Sequence, residues 1–342
     1  MTAEGLIAAL PKVDLHRHLL GSAGAGTVAE LARRHPGQGV PTEPEAVAAW
    51  FDFTDFRHFL AAYTAVNRLV TSGADVEALI AGLAADLARE NVRYAEVTVT
   101  PLSQLKTGID PAELAAALDA GRRAAAAMDV EVAWIFDVAA DDGPRGGLDT
   151  LDWVLRHQPA GTVAFGLGGP EQGFPRKLFR DSFAKARAAG LRSVPHAGET
   201  SDPGEVWSAV RDLGAERIGH GIAGAGDRRL LDHLAHHAIT LEICPTSNLR
   251  TSAVGSLADH PLPRLLDAGV GVTIGTDDPG MFGTSLGTEL RLCHEEFGLS
   301  TQDIVELVRT GIRAAFCPES TRRKLLAEVA RVSRAVPAPP GA

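Results

Sequence analysis

The feature that most constrains this chain is an alternation. Eight short apolar or β-branched runs of strand length stand at Val13–Leu19, Tyr94–Thr100, Val130–Val138, Val163–Gly168, Ser193–His196, Arg217–His220, Thr240–Cys244 and Gly271–Thr276. Between them lie Ala/Leu/Arg/Glu-rich stretches with helical spacing, such as Val76–Glu90, Pro111–Met128, Leu148–Arg156, Leu178–Ala189, Glu205–Leu213, Arg228–His237 and Pro263–Ala268. Alternating strands and helices imply a parallel sheet, and eight such units most simply close into a barrel. From the second strand onward the spacing is roughly 25–35 residues, enough for one helix per crossover. The first gap is longer. It holds Gly21–Arg89, with several helical stretches and the aromatic segment WFDFTDFRHF at Trp50–Phe59. The expectation is an α/β fold, a (β/α)8 TIM barrel with a helical insertion after strand 1. The insertion spans about residues 21–89 of one barrel domain, 1–334, and would sit over the barrel mouth.

A doubly wound open sheet is the rival. That fold usually announces a glycine-rich phosphate turn after its first strand. Here strand one ends in HRHLLG, no GxGxxG follows it, and no GxxxxGK[ST] occurs. The length of 342 residues allows two domains, but α/β barrels of this size are single units. Short Gly/Pro punctuations at Pro36–Pro44 and Asp141–Gly147 read as breaks, and the tail Ala335–Ala342 (AVPAPPGA) reads as disordered.

Lys and Arg number 33 against 43 Asp and Glu, a net charge of −10. That argues against a nucleic-acid surface, which needs a basic stripe. No apolar run reaches the roughly 20 residues that span a bilayer, and no secretory signal is read at the start. The three cysteines, Cys244, Cys293 and Cys317, form no CxxC pair, so neither a disulfide framework nor a thiolate metal knuckle is suggested. A reducing cytoplasm is the simplest location.

Chemistry-bearing residues collect at strand ends. His16 and His18 end strand one, and residues two apart on a strand share a face. Alone, such a pair can be accidental among 12 histidines. His196 and Glu199 (HAGE) end strand five, His220 (RIGHG) strand six, and Asp277-Asp278 (TIGTDDP) strand eight. Singly each has a plain reading: a strand-end Asp often caps the next helix, and a lone His is commonly just hydrogen-bonded. Jointly they lie on the C-terminal rim of a closed barrel, where barrel catalysis resides. Three histidines and an aspartate make a plausible zinc shell with a position left for water. Glu199 and His220 remain for proton transfer.

LHRHLLGS, HAGE, RIGHG, EICPTSN and TDDP resemble, in order, the segments of the adenosine deaminase family of metal-dependent amidohydrolases. The resemblance runs from about Pro11 to about Phe316. It implies a barrel with one Zn2+ per subunit. His16, His18, His196 and Asp277 match the ligands. Glu199 matches the acid that protonates the purine ring, His220 the base that orients and deprotonates the water, and Asp278 the group that bonds purine N7. Gly169, in the run Gly166–Gly169, matches a glycine that meets N3. Cys244 reads as buried packing.

One position departs from the family pattern. Two residues after the second histidine the family usually carries an acid, which bonds the ribose 5′-hydroxyl in adenosine-acting members. This chain has Leu20. Burying a hydroxyl against leucine leaves it unsatisfied, at about 1–3 kcal/mol. Leu20 therefore suits a nucleoside whose 5′ carbon bears an apolar extension; the other reading is that Leu20 simply packs. Phe51, Phe53, Phe56 and Phe59 resemble the family's lid, and Phe53 and Phe56 are expected at the substrate, although core packing is the competing role. The block from HRHLLGSA through FTDFRHF is similar to a bacterial branch with members that deaminate 6-amino-6-deoxyfutalosine in menaquinone synthesis. The carboxylate of that substrate needs a cation; Arg57, Arg68 and Arg145 are candidates, and Arg17 faces away. The alternatives are adenosine or 5′-methylthioadenosine as substrate and, of a different class, a non-catalytic nucleoside-binding protein. Oligomeric state is not readable.

Overall fold

The computed structural model describes residues 2–54 and 56–334, with the side chain of Phe56 outside that description. The expected tail lies outside it as well. Eight parallel strands form one sheet in sequence order: β1 Lys12–His18, β2 Val92–Val99, β3 Glu131–Ala139, β4 Thr162–Gly168, β5 Arg192–Ala197, β6 Arg217–His220, β7 Thr240–Ile243 and β8 Val272–Ile274. All eight expected runs are strands, displaced at their ends by a residue or two. The sheet closes on itself beyond β8. Asp277 N–H donates to the His16 carbonyl and His18 N–H to the Asp277 carbonyl, both at 2.8 Å, and a single parallel bridge joins Arg17 to Asp277.

The strands read as near-continuous apolar runs because both faces are covered. Ile135, Ala164 and Val194 pack inside the barrel. Phe136 faces outward against Trp153, with ring centroids 5.4 Å apart. The bottom of the barrel is plugged by charge as well as by hydrocarbon. Arg217, 2% exposed, donates to Glu96 and Glu242, and its guanidinium lies 3.9 Å from the Phe316 ring centroid. A buried triad like this is tolerable only because each charge has a partner. Glu96 also accepts from Tyr94 Oη and from the Phe316 amide, and Arg217 donates to the Ala314 carbonyl.

The insertion after β1 holds three helices, Ala25–Arg34, Pro44–Trp50 and Phe56–Asn67. A fourth helix, Gly73–Arg89, is capped by Ser72, whose side chain accepts from the Asp75 amide, and it is the ordinary crossover leading into β2. The extra segment is thus shorter than the 21–89 expected. One break was misread: Asp141–Gly147 is not a loop. A 3-10 turn at Ala140–Asp142 runs into the helix Gly143–His157, with Pro144 in its first turn. Gly147 is there for close approach, since a Cβ would come within 2.8 Å of Ser182 Oγ. Among the described residues no helix is long and apolar enough to cross a membrane.

Candidate active site

The C-terminal rim brings together the residues singled out at strands one, five, six and eight. A register shift between Asp14 and Arg17 marks a bulge in β1, a device that re-aims side chains beside active sites. His16 and His18 converge there on Asp277 Oδ1, with His16 Nε2 at 3.4 Å and His18 Nε2 at 3.2 Å. His18 Nε2 stands 3.3 Å from His196 Nε2. Four ligands held at about 2.0–2.1 Å around a tetrahedral ion sit about 3.3 Å from one another, so these separations fit one metal. His16 Nε2 is also buried without a hydrogen-bond partner, an orphaned donor set facing the same point. A second grouping, of His16, His196, His220 and Asp277, has its ligand atoms within 4.8 Å of one another, which puts His220 beside the cluster. His220 Nε2 lies 3.8 Å from Asp277 Oδ2, looser than the 3.2–3.4 Å separations among His16, His18, His196 and Asp277.

In two of these rings the other nitrogen is held. His16 Nδ1 meets Glu242 Oε2 at 2.9 Å, and His196 Nδ1 meets the Leu167 carbonyl at 2.9 Å. Such outer contacts orient ligand rings and fix their tautomers. Burial alone would raise the Glu242 carboxyl; Arg217 and His16 hold it low instead. The Ser247 hydroxyl donates to Asp277 Oδ2 at 2.5 Å. His220 and Asp277 both have left-handed backbone, φ 60° and 63°, uncommon for non-glycine residues and frequent at functional sites.

Glu199 lies beside the cluster. Its Oε1 accepts from Thr251 Oγ1 at 2.8 Å, and its Oε2 is 3.5 Å from His220 Nε2. Burial and then the charge of Asp277 push its carboxyl up to about 8. The loop that carries it is pinned by Glu171, which accepts from the amides of Gly198 and Glu199 at 3.0 and 3.1 Å and from the Ser201 hydroxyl. Asp278 is 6% exposed with Oδ1 unpartnered; burial and Asp277 raise it to about 7.

The tautomer of His220 follows from a chain of bonds. The Leu262 amide donates to His260 Nδ1 at 3.1 Å, so the proton of neutral His260 sits on Nε2. That Nε2 donates to Asn248 Oδ1, and Asn248 Nδ2 donates to His220 Nδ1, both at 3.2 Å. Burial, then His16, lower His220 to about 3, so the ring is neutral and carries its proton on Nε2.

The expected specificity residues are spread around the mouth. Gly169 follows β4 with φ 75°, its backbone beside the Ala140 amide, 3.1 Å from where a Cβ would stand. Leu20 is 4% exposed and lines a cavity with Tyr63, Thr98, Thr100 and Gln104. Phe53 is partly buried, its ring 5.5 Å from Phe59, and Phe59 lies 4.9 Å from Phe282 just beyond Asp278. Phe56 opens the helix Phe56–Asn67; its side chain lies outside the described residues. Arg17 is tied to Asp14 and Ser22. Arg145 is exposed and paired with Asp149 at 2.8 Å, and Arg57 and Arg68 are exposed. A further cation, from the helix after β7, meets the aromatic segment. Arg250 donates to the Phe51 carbonyl at 2.9 Å and lies 5.6 Å from the Phe53 ring. Unassigned from the sequence were Arg217 in RIGHG and Glu242, Ser247 and Asn248 in EICPTSN. Each sat inside a quoted motif as a letter without a role.

A closed parallel barrel with histidines and aspartate converging at its C-terminal rim defines a metal-dependent hydrolase. The chain belongs to the adenosine deaminase family of hydrolytic deaminases: the family model described as adenosine deaminase matches residues 11–332. It is 45% identical over 329 residues to a protein named aminodeoxyfutalosine deaminase from Streptomyces avermitilis, covering 95% of this chain and 92% of that one. Among solved structures it is similar to an adenine deaminase from Arthrobacter aurescens, with TM-score 0.91 and 27% identity, covering 96% of this chain and 100% of that one. An amidohydrolase from Burkholderia ambifaria with bound Zn superposes with TM-score 0.89 at 26% identity, covering 98% and 94%.

Proposed function

We propose that this protein is a zinc-dependent aminohydrolase that removes the 6-amino group of an adenine nucleoside, and that its favoured substrate is 6-amino-6-deoxyfutalosine. The observation that carries the reaction is the convergence of His16, His18, His196 and Asp277 at 3.2–3.4 Å beside a buried carboxyl, Glu199, that stays protonated near neutral pH. His16, His18, His196 and Asp277 would hold the zinc, one per subunit. When bound, zinc lowers the pKa of water from 15.7 to about 7 and so supplies a nucleophile at neutral pH.

The chain's own residues do the rest. Attack at C6 of the purine breaks the ring's aromaticity, so a proton must reach the ring nitrogen as the bond forms. Glu199 is positioned by Thr251 and Glu171 to give that proton. His220, with its proton on Nε2 and its Nδ1 tied to Asn248, donates a hydrogen bond to the incoming oxygen and orients it. This favours the orienting half of its expected role over deprotonation. Asp278, its carboxyl raised to about 7, donates from its unpartnered Oδ1 to purine N7, and the Gly169 backbone meets N3. Intact ligands and a protonated Glu199 speak against a binding protein without turnover.

The substrate reading rests on Leu20 and on the name of the 45% identical relative. Leu20 offers an apolar wall and no acceptor where a 5′-hydroxyl would sit. Phe53 and Phe59 supply aromatic surface for a carboxyphenyl arm. The test is a panel of adenosine, 5′-methylthioadenosine and 6-amino-6-deoxyfutalosine, followed by the loss of adenine absorbance. The arm-bearing substrate should exceed adenosine in kcat/KM by about tenfold or more, the cost of an unsatisfied hydroxyl. Equal or reversed order would overturn the choice of substrate.

A further inference from the structure

One buried carboxyl at the mouth has no part in the reaction as derived. Asp137 stands near the C-terminal end of β3 and is 2% exposed. Strand alternation puts it on the face of Ile135, which packs inside the barrel, so its side chain looks into the mouth. Its Oδ1 accepts from Thr100 Oγ1 at 2.6 Å. Its Oδ2 accepts from no other residue among those described, and no Lys or Arg pairs with it. Burial raises the carboxyl, and the positive influence on it comes from His18. The space beside Oδ2 is kept clear by Gly168, where a Cβ would come within 2.5 Å of that oxygen. Across from it, Tyr63 reaches in from the helix Phe56–Asn67. Burial first, and then the charges of Asp278, Asp137 and Asp277, hold the phenol well above its ordinary value. Tyr63 shares its cavity with Leu20 and Thr100, the residue that holds Asp137.

This corner lies on the arc of the rim away from Glu199 and His220. A purine with its C6, N1 and N7 edges toward the cluster, Glu199 and Asp278 directs its sugar toward β1–β4. Gly169, at the N3 edge, adjoins Ala139, the last residue of β3, and Ala140, the first of the turn that follows, two and three residues beyond Asp137. A carboxylate with one open oxygen and no cation nearby is met best by a neutral hydroxyl donor. A ligand phosphate would be repelled.

We propose that Asp137 is a specificity-determining residue, its Oδ2 accepting a hydrogen bond from a ribose hydroxyl of the nucleoside while Leu20 and Tyr63 wall the sugar. The proposal rests on the nucleoside-deaminase reading. It also explains how a chain with leucine at position 20 can still grip a sugar: the acceptor comes from β3 instead of from the β1 loop.

The test compares adenosine, 2′-deoxyadenosine and 3′-deoxyadenosine with the wild-type protein, Asp137→Asn and Asp137→Ala. The wild type should favour adenosine over at least one deoxynucleoside by about 10- to 100-fold in kcat/KM, because the missing hydroxyl leaves a buried acceptor unpaired. Both variants should lose activity on adenosine mainly through KM and bring that ratio to within about threefold, with metal content unchanged. The near-isosteric Asp137→Asn keeps the test valid if Asp137→Ala does not fold. A wild type that treats the three nucleosides alike, or an Asp137→Asn enzyme that keeps the wild-type ratio, overturns the proposal. Failure of the underlying reading looks different: metal-loaded wild type would then turn over no adenine compound at all.

Discussion

The two arcs of the barrel rim differ in how completely their polar groups are paired. From β5 to β8 the proton-handling side chains are wired to neighbours: Glu199 to Thr251, His220 to Asn248, Asp277 to Ser247. The exception is Asp278 Oδ1, the atom assigned to the substrate's N7. From β1 to β4, beyond the two histidines proposed as ligands, groups are left open. Gln104 Oε1 is buried without a partner, Asp137 Oδ2 accepts from no other residue among those described, and Leu20 offers no acceptor. The wired arc does chemistry, where geometry must be in place before the substrate arrives. The open arc does recognition, where a buried unpaired group rejects any ligand that fails to complete it.

That contrast can be broken on its wired side first. Asp277→Ala should lose bound metal and lower turnover by about 10^4-fold or more, because the shell and His18's partner go together. Metal analysis alongside kcat checks it; an active variant with normal metal would remove Asp277 from the shell. Glu199→Gln should lower turnover by about 10^2- to 10^4-fold while keeping the metal, since Glu199 donates a proton and ligates nothing. The active form of Glu199 is protonated, and its carboxyl is raised to about 8. Wild-type activity should therefore fall as pH rises through about 8, and the residual activity of the Gln variant should lack that limb. A pH profile that is the same for both proteins would take the proton from some other group. On the open arc the effect is smaller and selective. Leu20→Asp should shift the ratio of adenosine to 6-amino-6-deoxyfutalosine turnover by about 10- to 100-fold toward adenosine. An unmoved ratio would show that Leu20 only packs.

The sequence made the strands and the rim residues legible because both are local. Period, length and strand-end position need only a window of a few residues. What stayed hidden depends on partners far apart in the chain. Glu242 orients His16 across 226 positions, and Arg217 meets Glu96 across 121. Nothing in RIGHG or EICPTSN says that its arginine and glutamate will meet inside a barrel. Asp137 was invisible for the same reason, since its character comes from Thr100 and Gly168 on neighbouring strands. Asp141–Gly147 reads as a break because glycine signals one locally, whereas Gly147 admits the close approach of its helix to Phe179 and Ser182. The anchor of the aromatic segment is equally non-local, since the Phe51 carbonyl accepts from Arg250, 199 positions further along the chain.

The seam between β8 and β1 has one further consequence. β8 is three residues long, and the barrel closes there through a single bridge and a few backbone bonds at His16, His18 and Asp277. Those same residues supply three of the four proposed ligands, two on one side of the seam and one on the other. A metal held by the proposed ligands would clasp this thinly bonded seam. Binding to the folded chain alone adds about 4 kcal/mol of stability when free ion exceeds its Kd a thousandfold. On the proposed ligand set, metal supply would then set how long the barrel stays shut as well as how fast it works.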